Sequence, residues 1–344
     1  MNSSLKTILY FILMILISGC ERIEIVDRWE QIDKIDGIYM DNAAMQVFSS
    51  NSIWLVGDKI WVFDGTDWNE SETPNSEIYT CVSGSSDIDV WVLSHSNFSS
   101  NINGSWPNES NVFKWNGFEW KEFNNLNSGI VYNILVLDPQ TIVLGKSGSI
   151  DISYDAGQNW VNYNIPMNSN CDQGQVESIK GDLNNLIVSL KCGMILEFDG
   201  VSWYTLSQSK STAIDSDNNL SYALTYSSPY STPVLNDYYI NIFESKTLEK
   251  SLEISSELYP QSGMSDQIQS FLKNSTLDVV NSNVFLGSEN IYMYDGNKWI
   301  QETEMDFNDD TFGENGIRII HMLNNQEGWA VTGDGVIFKR NTKL

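Results

Sequence analysis

Histidine and arginine are nearly missing from this 344-residue chain, which carries two of the former, His95 and His321, and four of the latter, Arg22, Arg28, Arg318 and Arg340. So few imidazoles leave a His-rich copper or zinc centre without support. A Ser or Cys nucleophile with an imidazole base would need one of those two histidines beside it. Positive charge is scarce as a whole: 19 Lys and Arg face 45 Asp and Glu, a formal net charge of −26. A field of that sign repels phosphate backbones and anionic headgroups. It argues against nucleic acid and for cationic partners or ions, besides keeping the chain soluble. Past the first twenty residues no apolar run is long enough to cross a bilayer.

What is present begins with Lys6, an apolar run from Ile8 to Ile17, and then Ser18-Gly19-Cys20. The run is too short to span comfortably, and a positive start with small residues before a cleavage point reads as a secretory signal over residues 1–19. Ile17-Ser18-Gly19-Cys20 resembles the lipobox of bacterial lipoproteins. That resemblance implies cleavage before Cys20, acylation of Cys20 (a palmitate-type anchor) and residence outside the cytoplasm on a bacterial membrane. Residues 20–27 are then a lipidated tether, and the folded body runs over 28–344, with structure expected from Trp29. Glu21 follows Cys20, so the Asp that retains some bacterial lipoproteins at the inner membrane is absent, which favours the outer membrane or cell surface.

An exported chain can keep disulfides. Cys171 lies just before one expected strand and Cys192 at the end of the next antiparallel one, so the two are placed to bridge across a strand pair. Cys81, in Tyr79-Thr80-Cys81-Val82, reads as a small buried residue.

One pattern recurs along the body: an aromatic, an Asp-Gly or Asn-Gly turn, two variable residues and a Trp. Copies are Phe63-Asp64-Gly65-Thr66-Asp67-Trp68, Trp115-Asn116-Gly117-Phe118-Glu119-Trp120, Phe198-Asp199-Gly200-Val201-Ser202-Trp203 and Tyr294-Asp295-Gly296-Asn297-Lys298-Trp299, with a longer one ending at Trp160. The closing tryptophans fall at intervals of 52, 40, 43 and 96, and the double interval holds a degenerate copy, Phe243-Glu244-Ser245-Lys246-Thr247-Leu248. Short β-rich runs precede each motif, so every unit reads as four strands with the Asp-Gly turn joining the third to the fourth. A seventh unit begins at Arg318 and runs out after Val336-Ile337-Phe338-Lys339, while Val26 to Ile32 reads as a fourth strand without its first three. Pairing those two ends closes a ring and removes an exposed sheet edge.

This arrangement resembles the seven-bladed β-propeller over essentially the whole mature chain, an all-β fold of four-stranded blades. Ser153-Tyr154-Asp155-Ala156-Gly157-Gln158-Asn159-Trp160 also resembles the Asp-box of sialidase-like propellers, a structural turn. The sialidase active site grips a carboxylate with three arginines, and this chain offers only Arg318 near the centre, so the resemblance does not extend to that catalytic residue set.

The rhythm breaks at Ser94–Asn111, Ser227–Asp237, Ser255–Ser275 and Glu302–Asn315. In a propeller such loops emerge on the face opposite the Asp-Gly turns, which marks that face for binding. Ser265, Ile268, Phe271 and Leu272 are spaced for a short helix there. The repeat does not account for Phe98, Trp106, Tyr230, Tyr259, Phe307 and Phe312, which makes them the candidate partner contacts.

No catalytic or cofactor-binding residue is nominated. Asp306–Asp310 and Asp215–Asn219 are partial matches to a calcium loop, but Thr311 and Ile317, or Leu220 and Tyr226, stand where the loop needs Gly and Glu. The expectation is therefore a non-enzymatic, membrane-anchored binding or assembly module of the cell envelope with a protein partner. In address and architecture it resembles propeller lipoproteins that assist membrane-complex assembly. A glycan-active hydrolase or lyase using channel carboxylates, and a glycan-binding lectin, remain open beside it.

Overall fold

The computed structural model describes residues 24–35, 43–96, 109–123, 126, 129–168, 171, 174–226, 238–254, 275–303 and 316–341. Their strands form seven sheets, each built on an antiparallel arrangement of four, with a fifth, parallel strand added to one of them. Blade 1 is Ala44–Ser49, Ser52–Val56, Ile60–Phe63 and Trp68–Ser71, and blade 2 is Ile78–Ser86, Asp89–His95, Ser110–Trp115 and Trp120–Glu122. Blades 3, 4 and 5 start at Asn133–Val136, Val176–Asp182 and Lys210–Asp217. Blade 6 starts at Thr276–Val280, and blade 7 is Ile317–Asn324, Glu327–Thr332, Val336–Asn341 and, from the other end of the chain, Trp29–Lys34. The protein is a seven-bladed β-propeller. No helix occurs among the described residues. Residues 255–274, where a short helix was expected, lie outside them.

The ring closes as expected: Trp29 pairs with Arg340 and Lys34 with Val336, antiparallel, so the last blade borrows its outer strand from the first residues of the body. The start of the body is earlier than Trp29, however. Glu24 and Ile25 pair in parallel with Ile300 and Gln301 on the outer strand of blade 6, and the Val26 and Arg28 N–H groups donate to the carbonyls of Gln301 and Glu302. An extended segment beside an open edge satisfies that edge's backbone groups, so residues expected to be tether join the sheet.

Each second strand is buried throughout or nearly so, as in Ile53–Val56 and Asn185–Leu190. Both of its faces are covered by neighbouring blades, which is why it reads as a continuous apolar run rather than an alternating one. Seven apolar clusters result, one at each joint. Trp54, Tyr79 and Val92 fill the joint between blades 1 and 2, and Phe63, Trp329 and Ile337 fill the joint between blades 7 and 1.

The motif's purpose is visible in the cross-strand register. Phe63 pairs with Trp68, Trp115 with Trp120, Phe198 with Trp203 and Tyr294 with Trp299, with ring centroids 4.8–5.5 Å apart. Such aromatic pairs are a unit of sheet stabilisation. The degenerate copy departs from this: Phe243 pairs with Leu248 across a two-residue turn in which Ser245 and Lys246 both have positive φ, next to a β-bulge. Matching offsets in the sequence thus conceal a different turn. The interruptions are also shorter than the rhythm indicates. Ser94 pairs with Asn111 and His95 with Ser110, which extends two strands of blade 2 into the first of them.

Candidate functional site

In a four-stranded meander, the turns after the first and third strands leave at one end of the blade, and the second-to-third and blade-to-blade connections leave at the other. The described flanks of all four interruptions are of the latter kind: 97–108 and 227–237 join second to third strands, and 255–274 and 304–315 join successive blades. They share one end of the ring. Phe98, Trp106, Tyr230, Tyr259, Phe307 and Phe312 all lie outside the described residues, as do Cys20 and the acidic cluster at 306–310.

At the same end a disulfide joins Cys171 to Cys192, with Cα atoms 5.2 Å apart. Neither cysteine is in a strand. Cys171 precedes blade 4, whose first strand begins at Val176, and Cys192 lies in the turn after Asn185–Leu190. The bridge therefore ties a blade-to-blade connection to a turn, rather than crossing a strand pair. Cys81 is free and buried, its thiol donates to the carbonyl of Ile134, and burial pushes it up to about 11.

The opposite end carries the motif turns. Asp64 accepts from the N–H groups of Thr66 and Asp67 at 2.9 and 3.0 Å, Asp199 from Val201 and Ser202 at 3.0 and 2.7 Å, and Asp295 from Asn297 and Lys298 at 2.9 Å each. Asn116 makes the same pair of bonds in blade 2. The following glycines have φ between 88 and 99°, a region that a side chain would strain. Backbone donors hold the Asp64 carboxyl down to about 2 and keep Asp199 and Asp295 below the usual range, while the Asn159 side chain, with its N–H, does the same for Asp155. In the longer copy, Ser153 Oγ accepts from the N–H of Gly157, and Asp155 accepts from the backbone and side chain of Asn159.

Among the described residues, ionisable side chains from four blades converge at the channel. Gln46, Ser83, Leu135, Lys180, Asp215, Asp278 and His321 occupy the same register on the seven innermost strands, opposite Trp54, Trp91, Val143, Ile187, Tyr222, Phe285 and Trp329. Blades 4 to 7 thus contribute Lys, Asp, Asp and His to one layer. Asp215 Oδ2 accepts from the N–H of Val279 in the next blade, and Asp278 Oδ2 accepts from that of Met322, each at 2.6 Å. Ser83 Oγ does the same for Val136 at 2.9 Å. An innermost strand is an edge whose outward N–H groups need acceptors, and the preceding blade supplies them.

Burial, with the charge of Asp278, pushes Asp215 up to about 7, and burial pushes Asp278 up to about 6; Lys180 pulls both the other way. The two carboxylates raise Lys180 above its ordinary value despite the opposing effect of burial. Burial and then Lys180 depress His321. His95 is separate. Its Nε2 meets the Val131 carbonyl at 2.8 Å and its Nδ1 the Thr80 hydroxyl at 3.0 Å, which occupies both ring nitrogens.

The Asp215–Asn219 stretch is the end of the innermost strand of blade 5 followed by a two-residue hairpin turn, Asn218 and Asn219, both at positive φ. Asp217 Oδ2 accepts from Ser282 N–H at 2.7 Å, so the acidic side chains there brace blade 6. Among the described residues no group of three or more His, Cys, Asp or Glu is arranged to hold a metal.

Three of the four arginines are described, and two of them serve closure. Glu302, fully buried, accepts from Arg340 Nε and Nη2 at 2.7 Å each, from Arg28 Nη1 at 2.8 Å and from Trp29 Nε1 at 3.0 Å. Arg318 lies on the innermost strand of blade 7. Glu302 had been assigned to an interruption. Its isolated position in the sequence carries no sign of its role, whereas the channel layer could have been aligned by counting five to seven residues back from each second strand.

No family model matches this chain, and no curated protein matches it. Solved structures do. One described as YCF48 bound to D1 peptide has a TM-score of 0.62 at 12% identity over 93% of this chain and 100% of the other. YCF48 from Cyanidioschyzon merolae gives 0.61 at 16% over 91% and 98%, and BBS1N in complex with ARL6DN gives 0.58 at 12% over 93% and 98%. At these identities the likeness concerns the fold.

Proposed function

We propose that this chain is a membrane-anchored, non-enzymatic binding and assembly module of the bacterial cell envelope, engaging a protein partner through the interrupted end of its ring. The observation that carries this reading is that the flanks of all four long interruptions leave the blades at one end, while the other end is occupied by tight, repeated turns. Loops on a rigid scaffold are where binding residues concentrate. Two of the similar solved propellers, YCF48 with a D1 peptide and BBS1N with ARL6DN, are described with protein partners, which supports the same use here. The lipobox-like Ile17 to Cys20 supplies the anchor, through acyl chains on Cys20.

Ser96 N–H bonds the Glu109 carbonyl, so the ends of residues 97–108 are adjacent and a short turn can replace them without opening blade 2. A pull-down from solubilised membranes with the wild-type chain and with that replacement tests the reading. Loss of a specific protein supports it, and an unchanged set of captured proteins overturns it. For the anchor, Cys20→Ser should move the chain from the membrane to the soluble fraction.

A second reading, a hydrolase or lyase acting on glycans, has the channel convergence of Asp215 and Asp278 with Lys180 and His321 in its favour. Both carboxylates already accept main-chain N–H groups, which favours the structural role. Polysaccharide turnover that disappears in Asp215→Asn and Asp278→Asn would reverse that preference.

A further inference from the structure

Blade 2 carries the copy of the motif in which an aromatic follows the turn glycine: Phe118 stands where the other copies have Thr66, Val201 and Asn297. Its ring is 92% exposed. It borders a groove of about 380 Å³ at the outer edge of the ring, between blades 1 and 2, lined by Glu72, Pro74, Trp115, Phe118, Glu119 and Trp120. The walls are held from behind. Trp120 stands edge-on to Trp54 at 5.8 Å and packs on Trp115 at 5.5 Å, and its indole N–H donates to the Glu72 carbonyl at 2.9 Å. A site so supported is already in its binding shape.

The protein itself shows what suits such a wall. At the joint between blades 4 and 5, Lys246 Nζ lies 3.4 Å from the Tyr204 ring centre and pairs with Asp199. At the next joint, Lys250 Nζ lies 5.0 Å from the Tyr294 ring and donates to its hydroxyl. On blade 1, Lys59 covers Trp61 and pairs with Glu70. The blade 1–2 edge has the aromatic rings and two carboxylates, but among the described residues no ion pair forms at Glu72, and Glu119 has only a solvent-exposed one with Lys121. Exposed pairs of that kind exchange readily. The net charge of −26 draws cations toward the molecule as a whole.

We propose that this groove binds an extended basic protein segment, stacking one arginine or lysine side chain on Phe118 and the Trp115–Trp120 pair with its charge on Glu72. The groove lies between the Asn-Gly turn of blade 2 and the connection joining blades 1 and 2, and none of its lining residues belongs to the four interruptions, so it is a second binding site beyond the loops proposed above.

A fluorescently labelled peptide, Gly-Arg-Pro-Arg-Gly, titrated by polarisation against the full chain tests this, with the Gln-for-Arg peptide and a neutral chito-oligosaccharide as alternatives. The Arg peptide should bind, and the Gln peptide should bind at least tenfold more weakly. Phe118→Ala removes no charge, so the loss it causes, roughly threefold or more for an exposed cation–aromatic contact, separates the groove from general attraction to an acidic protein. Glu72→Gln should weaken binding as well, and replacing residues 97–108 should leave it intact. Equal affinity of wild type and Phe118→Ala, an absence of binding to the Arg peptide, or Phe118-dependent binding of the neutral oligosaccharide in preference to it would each overturn the proposal.

Discussion

Blades 1 to 3 and blades 4 to 7 present the same register to the channel and fill it differently. The first three offer Gln46, Ser83 and Leu135; the other four offer Lys180, Asp215, Asp278 and His321. Both halves solve one problem, the N–H groups on the inner edge of the next blade. A hydroxyl does so at Val136, and carboxylates do so at Val279 and Met322. The three neutral residues of the layer have no charge to gain or lose, while the charged part gains stronger acceptors and becomes sensitive to protonation. The same contrast extends to ring closure, where the charged half ends in the Glu302 clasp.

The largest expected effect breaks that clasp. Glu302→Ala leaves Arg340, which is 1% exposed, without its carboxylate, and a buried charge stripped of its partner costs about 3–5 kcal/mol. Denaturant unfolding should show it, and pairing the change with Arg340→Leu should recover part of the loss. The disulfide staples the two halves together at the joint between blades 3 and 4. It closes a loop of 21 residues, so reduction or Cys171→Ser should lower stability by about 3 kcal/mol. Intact mass with and without reductant checks that the bond is present.

Next comes pH. Asp278 sits at about 6 in the fold against 3.8 when free, so its contribution is complete below pH 3.8 and is lost as pH rises through 6. Stability of Asp278→Asn relative to wild type should therefore climb by roughly 1–3 kcal/mol between pH 4 and 7. A flat difference would remove the charged-layer account. His321 acts in the opposite sense. Its depressed value means that its contribution is present above 6.5 and fades as pH falls, so His321→Gln should steepen the wild-type gain toward acid. In the neutral half, Ser83→Ala should cost about 1–2 kcal/mol by stranding the Val136 N–H, with no slope across the same range. Phe118→Ala, in an exposed turn of blade 2 and not among the channel-layer residues, should change stability by less than about 0.5 kcal/mol.

Much of this architecture was legible because it is local. Asp-Gly turns, aromatic pairs and β-rich runs repeat within about forty residues, and each is a short-range consequence of turn and strand chemistry. Phe243 to Leu248 shows the limit: the residue types match the motif, yet Ser245 and Lys246 form another turn. The paired tail at Glu24 and Ile25 was hidden because an edge strand needs no sequence signature beyond being extended.

By itself, then, the sequence determined seven units, their four-stranded make-up, the borrowed closing strand and the sharing of one end by the long interruptions. Those follow from periodicity and from the direction in which a meander must run. Only the tertiary structure decided which charges meet. Lys180, Asp215, Asp278 and His321 are neighbours because the ring brings one register position from four blades around a common axis, and Glu302 meets Arg28 and Arg340 because the two chain ends are laid side by side. It also made Phe118 and Glu72 two walls of one groove, since the curvature between blades 1 and 2 sets their spacing and no local rule does.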